Sequence, residues 1–275
     1  MTRMQASTET KPRVAVVTPC FNDGATLRET VDSVRGLDDV EHVVVDDQST
    51  DPATLAVLDE LEADGIRVLH QEHQGPSAAR ARAVAATTAE YVFPLDADDL
   101  ALRDGVAALV RTLDTHPNAM LAWGDLQCFG HSVRLLHSSD RLDPWLITHV
   151  NPIPYASLMR RQAVEQVGGW GDVSGFEDWD LWMGFVERGF GGVHVPQPVI
   201  RYRIHGGRRW QGNAQRHDQI HRELERRHPT LFAARRVNRR HSPAPTAWKM
   251  LLPAIEALPL PSRTKVRLRG LVVRR

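Results

Sequence analysis

The first hundred residues alternate short apolar runs with amphipathic segments, and this alternation restricts the fold more than any other feature of the chain. Four runs rich in β-branched or aromatic residues have the length of buried strands: residues 14–18, 42–46, 66–69 and 91–95. The segments between them have helical spacing: residues 25–34, 51–63 and 77–88. Strands that are apolar on both faces need cover on both faces. The order therefore predicts an α/β fold with a Rossmann-like, mostly parallel central sheet flanked by helices.

The pattern becomes less regular after Leu100. Helical spacing over residues 101–115 precedes a predicted strand over residues 120–129, and residues 193–195 and 199–204 are typical of a returning pair of strands. The other predicted elements are a strand over residues 157–160 and helices over residues 162–167 and 177–188. We therefore expect a second half in which the strands run in mixed directions.

Composition is that of an ordinary globular enzyme-sized chain. Its 275 residues, 42% of them hydrophobic, are enough to bury one substantial core. No run of about eighteen apolar residues occurs, and the first eleven residues have no apolar core, so neither a membrane span nor a secretory signal is predicted. We expect a cytoplasmic protein in which Cys20 and Cys128 stay reduced.

The charge of the chain is unevenly distributed although its net charge is zero. Residues 201–275 contain 19 Lys and Arg against 4 Asp and Glu, so a basic tail follows an acidic body. Such asymmetry indicates an anionic partner. The apolar run over residues 248–260, with cations after it, suits an anionic membrane surface at which the protein would be peripheral. A C-terminal helix packed on the body is the alternative, and no motif indicates nucleic-acid binding.

A cluster of carboxylates follows the fourth predicted strand. Asp96, Asp98 and Asp99 lie within four residues, and their mutual repulsion is relieved where a cation or the hydroxyl groups of a ligand neutralise them. The alternative is that they begin the next helix, where negative charge suits the helix dipole. Polar residues also follow the first two strands, and ligands of parallel sheets bind beyond the carboxyl ends of the strands.

Five motifs in order resemble glycosyltransferase family 2, the inverting, nucleotide-sugar-dependent enzymes of GT-A fold. They are Thr18-Pro-x-Phe-Asn, Val-Val-Asp46-Asp47-x-Ser-Thr-Asp51, Gly75-Pro-Ser-Ala-Ala-Arg80, Leu-Asp96-Ala-Asp-Asp99 and Glu177-Asp178-Trp-Asp-Leu-Trp182. The resemblance covers residues 12–206. It implies a nucleotide-binding half over residues 12–100 and an acceptor-side half over residues 101–206. A disordered N-terminus, residues 1–11, and a basic C-terminal extension, residues 207–275, complete the predicted organisation.

The resemblance implies a nucleoside pocket lined by Thr18, Pro19 and Phe21, in which Asp47 accepts a hydrogen bond from the base. A carboxylate suits this role because the N–H of a pyrimidine or guanine needs an acceptor. The alternative is that the acids after the second strand are turn and cap residues. For Asp51 we favour the cap, because Pro52 follows it at the first helical position.

Arg80 is implied near the diphosphate of the donor. On a helix, Arg80 and Arg82 point roughly 200° apart, so only one of them faces the cleft. Relatives often have Asn where Ala81 stands, so the local hydrogen bonding must differ here.

The Asp96-Ala-Asp-Asp99 segment resembles the DxD motif of the family. The resemblance implies that Asp96 and Asp98 contact the donor, Asp96 at its ribose, and that Asp98 and Asp99 bind Mg²⁺ or Mn²⁺ together with His205. Such a cation acts as a Lewis acid on the departing nucleoside diphosphate. An imidazole favours Mn²⁺ over Mg²⁺, although His205 could equally be an ordinary surface residue.

Asp178 resembles the catalytic base of the family. Inverting displacement needs one carboxylate to take the proton of the acceptor hydroxyl as that oxygen attacks the anomeric carbon. Asp180 is the alternative base, and the neighbouring Glu177 has the alternative role of complementing the helix dipole. Residues 208–210, Arg-Arg-Trp, form either a mobile lid over the donor or a solvated basic loop.

Taken together, the motifs predict an inverting glycosyltransferase that transfers a sugar from a UDP-, GDP- or TDP-sugar to an acceptor hydroxyl. The acceptor could be a glycan, a glycolipid or a small natural product. Two other functions stay open at this point. A nucleotidyltransferase on a related α/β fold should show a Gly-rich phosphate loop near the N-terminus, which this sequence lacks. A non-catalytic scaffold would keep the fold and hold a partner at a membrane through the basic tail.

Overall fold

One nine-stranded sheet runs through the molecule. A computed structural model describes residues 12–173, 175–205 and 208–273, without the side chains of residues 208–215. The predicted disorder of residues 1–11 lies outside the described residues. The order of the main strands is β3-β2-β1-β4-β8-β6-β9-β5, and β7 pairs with β6 at the side.

The N-terminal half is parallel, as the alternating pattern predicts. Its strands are β1 (Val14–Cys20), β2 (Val40–Asp46), β3 (Arg67–His70) and β4 (Tyr91–Pro94), and its helices are α1 (Gly24–Arg35), α2 (Pro52–Ala63) and α3 (Pro76–Ala85). Strand β1 lies between β2 and β4, and all three of these pairings, including that of β2 with β3, are parallel. The carboxyl ends of β1, β2 and β4 therefore meet at one edge of the sheet, as expected from the sequence.

The second half is mixed, as predicted. Its strands are β5 (Leu100–Ala101), β6 (Leu121–Gly130), β7 (Arg134–Leu136), β8 (Ser157–Arg160) and β9 (Gly192–Ile204). Its helices are α4 (Arg103–Thr115), α5 (Arg161–Val167), α6 (Glu177–Glu187) and a short 3₁₀ turn over Leu146–Thr148. Strand β8 is antiparallel to both β4 and β6, whereas β9 is parallel to β6 and antiparallel to β5.

The predicted returning pair of strands is a single strand, β9, and that expectation was wrong. Opposite β6, the register jumps between Gly124, which faces Val195, and Asp125, which faces Pro198. The irregular register accommodates Pro196 and Pro198 within one continuous strand, although prolines in the sequence resemble a break between two strands. Gly124 permits the close approach, because a Cβ there would lie 2.4 Å from the side chain of Val199.

The acidic cluster does not begin a helix. Leu100 and Ala101 form β5, and α4 starts only at Arg103, with Asp104 as the acid of its first turn. Asp96 and Asp99 instead close a turn, in which the Asp99 amide donates to the Asp96 carbonyl at 3.1 Å. The helix-capping alternative is therefore wrong for this cluster.

Five helices occupy the C-terminal extension. They are α7 (Arg208–Arg227), α8 (Pro229–Ala233), α9 (Arg235–His241), α10 (Thr246–Ala257) and α11 (Ser262–Val273). Leu252 and Trp248 of α10 pack against Trp145 and Leu146 of the body, so the packed alternative describes this part of the tail. Contact of the tail with an anionic membrane surface stays a prediction. Within the described ranges, no helix combines the length and the apolarity needed to cross a membrane.

Buried charges also join the extension to the body. Asp180 in α6 is 5% exposed, and its carboxylate accepts hydrogen bonds from Arg227 at 2.6 and 2.9 Å. The ring of His228 lies 3.0 Å from the same carboxylate. These partners lower the pKa of Asp180, with hydrogen bonding to His228 and Arg227 outweighing the effect of burial. Asp180 therefore anchors the start of the extension.

We predict that Asp180→Ala lowers the free energy of unfolding by about 3–5 kcal/mol, because it leaves the cations of a buried pair uncompensated. Urea unfolding monitored by circular dichroism measures this change. The matched control is Glu223→Ala, which removes an ion pair between Glu223 and Arg226 on the surface of α7. Exposed pairs contribute at most about 1 kcal/mol, so equal losses in the two variants would contradict the anchoring role.

Candidate active site

The three aspartates of the acidic turn have three different surroundings. Asp96 Oδ1 lies 2.6 Å from Arg80 Nη2. Asp98 Oδ2 lies 2.6 Å from His205 Nε2, at the end of β9. Asp99 points into the protein and contacts neither of these groups. The structure thus brings together Asp98 and His205, two of the three predicted metal ligands, and separates the third from them.

Asp99 is fully buried, and both of its carboxylate oxygens already have donors. The Tyr155 hydroxyl donates to one oxygen at 2.5 Å, and the Arg203 backbone N–H donates to the other at 2.7 Å. Burial, together with the charges of Asp98 and Asp96, raises the pKa of Asp99 well above its usual range. In this structure Asp99 therefore holds Tyr155 and the end of β9 in position, and its binding of a metal ion stays a prediction.

Arg80 is a bridge inside the protein. It is 3% exposed, and its guanidinium reaches Asp96 at 2.6 Å and Glu177 at 2.8 Å. Arg82 on the same helix is exposed, so the two side chains diverge as predicted. Both ends of its guanidinium are engaged by carboxylates, and the contact of Arg80 with a diphosphate stays a prediction. Its contact with Glu177 connects residues 97 positions apart and brings α6 to the acidic turn.

Asp178 lies next to that bridge at the start of α6. Asn151 Nδ2 donates to Asp178 Oδ2 at 2.8 Å, and the Trp179 backbone N–H donates to Oδ1 at 2.8 Å. Burial, and to a smaller extent the charge of Glu177, raise the pKa of Asp178 to about 7. A carboxylate with this pKa can accept a proton near neutral pH.

The alternative base, Asp180, is not available for this role. Its carboxylate is paired with Arg227 and His228 on the far side of the helix, and its pKa is lowered. Trp179, Trp182 and Met183 are buried in the core, as expected from their spacing along the helix. Of the acids in this segment, Asp178 therefore remains the candidate for proton transfer.

An exposed aromatic pair lies where the nucleoside pocket is predicted. Phe21 is 42% exposed, and its ring centroid lies 4.4 Å from that of His73, with the planes tilted by 39°. His73 Nδ1 lies 2.9 Å from Asp47 Oδ2. Pro19, two residues before Phe21, is partly buried. The exposed faces of the Phe21 and His73 rings are of the kind on which a nucleobase can stack.

Asp47 is more enclosed than the resemblance implies. It is 2% exposed, and its oxygens accept hydrogen bonds from the Gln71 side chain and from the backbone N–H groups of Gln74 and Gly75 at 2.7–2.9 Å. These contacts fit the turn alternative better than direct binding of a base. Asp51 behaves as favoured, because its carboxylate accepts from Ala53 and Thr54 as the N-cap of α2.

Thr18, which is predicted to line the nucleoside pocket, does not reach the surface of the protein. Its side chain is fully buried, and its hydroxyl lies 2.8 Å from His42 Nε2. Burial lowers the pKa of His42 to about 3, so the ring is neutral and belongs to the core. Successive residues of a strand face opposite sides of the sheet, and Thr18 falls on the inner side.

Several residues of the site carry no signal in the sequence. Asn151 and Tyr155 lie in an irregular, proline-containing segment, 27 and 56 residues from the aspartates that they contact. His73, in the loop between β3 and α3, and Arg203, in β9, reach the site only because the sheet places these segments there. The predicted lid, residues 208–210, belongs to the stretch whose side chains are not described.

Known proteins with the same architecture are glycosyltransferases of GT-A fold. TarS of S. aureus, solved with UDP-GlcNAc, is similar to this chain with a TM-score of 0.63 and 15% identity over 95% of this chain and 71% of that one. The mannosyltransferase PcManGT from Pyrobaculum calidifontis, solved with GDP-Man and Mn2+, has a TM-score of 0.58 and 20% identity over 96% of this chain and 86% of that one. At these identities, the likeness establishes the fold.

Sequence comparison establishes the family. The model of glycosyl transferase family 2 matches residues 15–168, more than half of the chain, and the chain therefore belongs to glycosyltransferase family 2. The pre-mycofactocin glycosyltransferase of Mycobacterium tuberculosis is 33% identical over 190 residues, which are 64% of this chain and 39% of that protein. Among the curated relatives, the matched part spans from 20% to 73% of the relative's length. The resemblance drawn from the motifs is confirmed.

We predict that Arg80→Lys lowers the free energy of unfolding by about 3–5 kcal/mol, because an ammonium group cannot pair with both Asp96 and Glu177 and leaves a buried charge uncompensated. Differential scanning calorimetry and urea titration measure the loss. Arg82→Lys is the control, since Arg82 lies on the same helix and is exposed. An Arg80→Lys protein as stable as this control would show that the bridge does not organise the site.

Proposed function

We propose that this glycosyltransferase transfers a sugar with inversion from a nucleoside-diphosphate-sugar to an acceptor hydroxyl, with Asp178 as the base. The observation that carries the proposal is the Arg80 bridge. It joins the acidic turn to the helix that starts at Glu177, so a partly desolvated carboxylate with a pKa near 7 lies at the cleft in which the donor would bind. UDP-, GDP- and TDP-sugars are the candidate donors.

In this mechanism the acceptor oxygen attacks the anomeric carbon from the face opposite the diphosphate. The bond from that carbon to the acceptor oxygen forms while its bond to the diphosphate oxygen breaks, and the hydroxyl proton passes to Asp178. The hydrogen bonds from Asn151 and from the Trp179 backbone N–H fix the direction of the carboxylate. Holding a base in this position is worth about 10²- to 10⁴-fold in rate.

The nucleoside end of the donor would bind against Phe21 and His73. Asp47 orients the His73 ring through their contact at 2.9 Å, so its role in the proposal is indirect. Pro19 adjoins this surface. Asp96, whose side chain is 35% exposed, has Oδ1 on Arg80, and we assign its carboxylate to the ribose hydroxyls. TarS and PcManGT were solved with a UDP-sugar and a GDP-sugar, so the base itself is left to a binding panel.

Asp98 and His205 are the residues that fit a divalent cation. Their side chains are 19% and 51% exposed and converge within 2.6 Å at the edge of the acidic turn. Among the described residues, no three His, Cys, Asp or Glu side chains are arranged to hold a metal ion. Two protein ligands suit Mg²⁺ or Mn²⁺ completed by substrate phosphates and water, and the imidazole favours Mn²⁺. When bound, the cation would supply Lewis-acid stabilisation of the leaving diphosphate.

The two other functions predicted as alternatives have less support. Family membership favours glycosyl transfer over nucleotidyl transfer. A non-catalytic scaffold would not need a carboxylate with a raised pKa held by Asn151 beside the acidic turn. We therefore propose no second function for this cleft.

We predict that Asp178→Asn lowers kcat by about 10²- to 10⁴-fold and leaves donor affinity unchanged, because the amide cannot accept the proton. Transfer is measured as release of nucleoside diphosphate, and donor binding by calorimetry. Asp104→Asn, which alters an exposed acid in the first turn of α4, is the control and should retain activity. Near-normal turnover by Asp178→Asn would refute the assignment.

The pKa of Asp178 also predicts the pH dependence. Because the carboxylate must be deprotonated, kcat/KM should fall about tenfold per pH unit below about pH 7 in the wild type. The free energy of unfolding should decrease as the pH increases from about 4 to 7. In this range the unfolded protein has already lost the Asp178 proton, whereas the folded protein still binds it. Asp178→Asn removes that penalty and should melt at a higher temperature than the wild type at pH 8. A flat profile of kcat/KM between pH 5.5 and 8.5 would count against this base.

We predict that Asp98→Ala and His205→Ala each abolish the effect of Mn²⁺ on donor binding. In the wild type, EDTA should weaken binding of the preferred nucleoside diphosphate at least tenfold, whereas EDTA should have little effect in these variants. Calorimetry with UDP, GDP and TDP measures both the base preference and the metal effect.

Asp99→Asn is the contrasting variant for the metal test. It should keep the response to Mn²⁺, because both carboxylate oxygens of Asp99 are engaged by the Tyr155 hydroxyl and the Arg203 N–H. Loss of the Mn²⁺ response in Asp99→Asn, with retention in Asp98→Ala, would reverse our assignment of the two residues.

A further inference from the structure

A cavity of about 370 Å³ lies beside the start of α6, between the loop at Asn151 and helices α7 and α11 of the C-terminal extension. Its walls are mostly apolar, with Phe176 and Trp179 on one side and Val266 and Val273 of α11 on the other. Phe176 and Trp179 flank the Glu177-Asp178 pair in the sequence. The cavity has the size of a small-molecule site and adjoins the proposed base.

The cavity contains a buried cation that lacks a carboxylate partner. Arg269 is 3% exposed, its Nε has no hydrogen-bond partner, and one of its terminal nitrogens lies 3.3 Å from the ring of His217. Burial lowers the pKa of His217 to about 4, so this ring is neutral at neutral pH. Unpaired buried charges are strongly unfavourable, so an anion that enters the cavity would compensate Arg269.

The carboxylates nearest to Arg269 are already engaged elsewhere. Glu256 pairs with Arg235 at 3.1 Å and with His149 at 3.0 Å. Asp218 lies 3.7 Å from Lys265. In the part of the chain that the structure describes, no carboxylate lies within ion-pair distance of Arg269. Glu256 and Asp218 therefore act on Arg269 only at longer range, and a ligand anion could form a direct ion pair with it.

A second polar atom of the cavity wall also lacks a partner. Asn151 donates its amide to Asp178, but its Oδ1 is buried and accepts no hydrogen bond. A hydroxyl group bound in the cavity could donate to this oxygen. One side chain would then contact both the base and the molecule whose hydroxyl the base deprotonates.

We propose that this cavity binds the acceptor, and that the acceptor carries a phosphate or carboxylate group on an apolar portion. Arg269 pairs with the anionic group, the walls from α6 and α11 bury the apolar portion, and Asn151 Oδ1 accepts a hydrogen bond from a hydroxyl. This inference rests on the proposed glycosyl transfer and specifies its acceptor class. It also gives the basic C-terminal extension an anionic partner other than a membrane surface.

Two variants test the proposal without removing the fold. Arg269→Met replaces the guanidinium by a shorter, unbranched apolar side chain and removes a buried unpaired charge. Gly270→Leu fills the cavity, because Gly270 lies in α11, lines the cavity and has no other atom within 4 Å of the position of a Cβ. Leucine also has a higher helix propensity than glycine. Both variants should therefore melt at or above the wild-type temperature, which a damaged structure would not do.

The experiment is calorimetry with octyl phosphate, octanoate, octanol and inorganic phosphate as probes. We expect octyl phosphate or octanoate to bind the wild type at least tenfold more tightly than octanol or inorganic phosphate, and the better of the two identifies the anionic group. Arg269→Met and Gly270→Leu should each weaken that binding at least tenfold. Arg267→Met, an exposed position on the same helix, is the matched control and should bind like the wild type.

Two results would overturn the proposal: neither anionic probe binds the wild type more tightly than octanol, or both variants bind the probes as the wild type does. Binding of UDP, GDP and TDP with Mn²⁺ is measured on the same preparations. Because the probes need no donor, failure of the probe arm with normal donor binding would reject the acceptor class alone. Failure of the donor arm would reject the proposed function.

Discussion

The buried bridge from Arg80 to Asp96 and Glu177 is the interaction on which the rest of the site depends. It places one cation between two carboxylates that would otherwise repel each other in a region of low dielectric. The same contacts connect α3, the acidic turn and α6. The position of Asp178 follows from this connection. Burial there raises the pKa of Asp178, the charge of the neighbouring Glu177 adds to the increase, and the charge of Arg80 lowers the pKa by less.

Negative charge accumulates around this bridge and defines what the cleft can bind. Burial, and after it the charges of Asp99 and Asp96, raise the pKa of Tyr155 well above its usual range and also raise the pKa of Tyr202. A negative electrostatic potential of this kind favours the binding of a divalent cation, which could in turn neutralise the diphosphate of a donor. Arg269 places positive charge in the cavity beside the start of α6. The acidic turn and this cavity therefore differ in the sign of their charge.

Much of the fold could be predicted from the sequence, because strand and helix periodicities are local properties. The parallel half appeared with the expected order, and Asp51 capped α2 as its Pro52 neighbour indicated. The prediction failed at β9, where proline residues resembled a break but an irregular register with β6 keeps one strand continuous. Thr18 and Asp99 have residue types that suit a ligand, but periodicity could not indicate that both side chains are buried.

The sequence by itself determined the family, the alternation of strands and helices, and the set of carboxylates from which a base and a metal site can be drawn. Only the tertiary structure decided between chemically identical side chains. Asp98 meets His205, whereas the adjacent Asp99 is enclosed by Tyr155 and Arg203, and Asp178 faces Asn151 while Asp180 is held by Arg227. The physical reason is that the direction, burial and pKa of a carboxylate depend on donors and charges that the fold brings from distant parts of the chain.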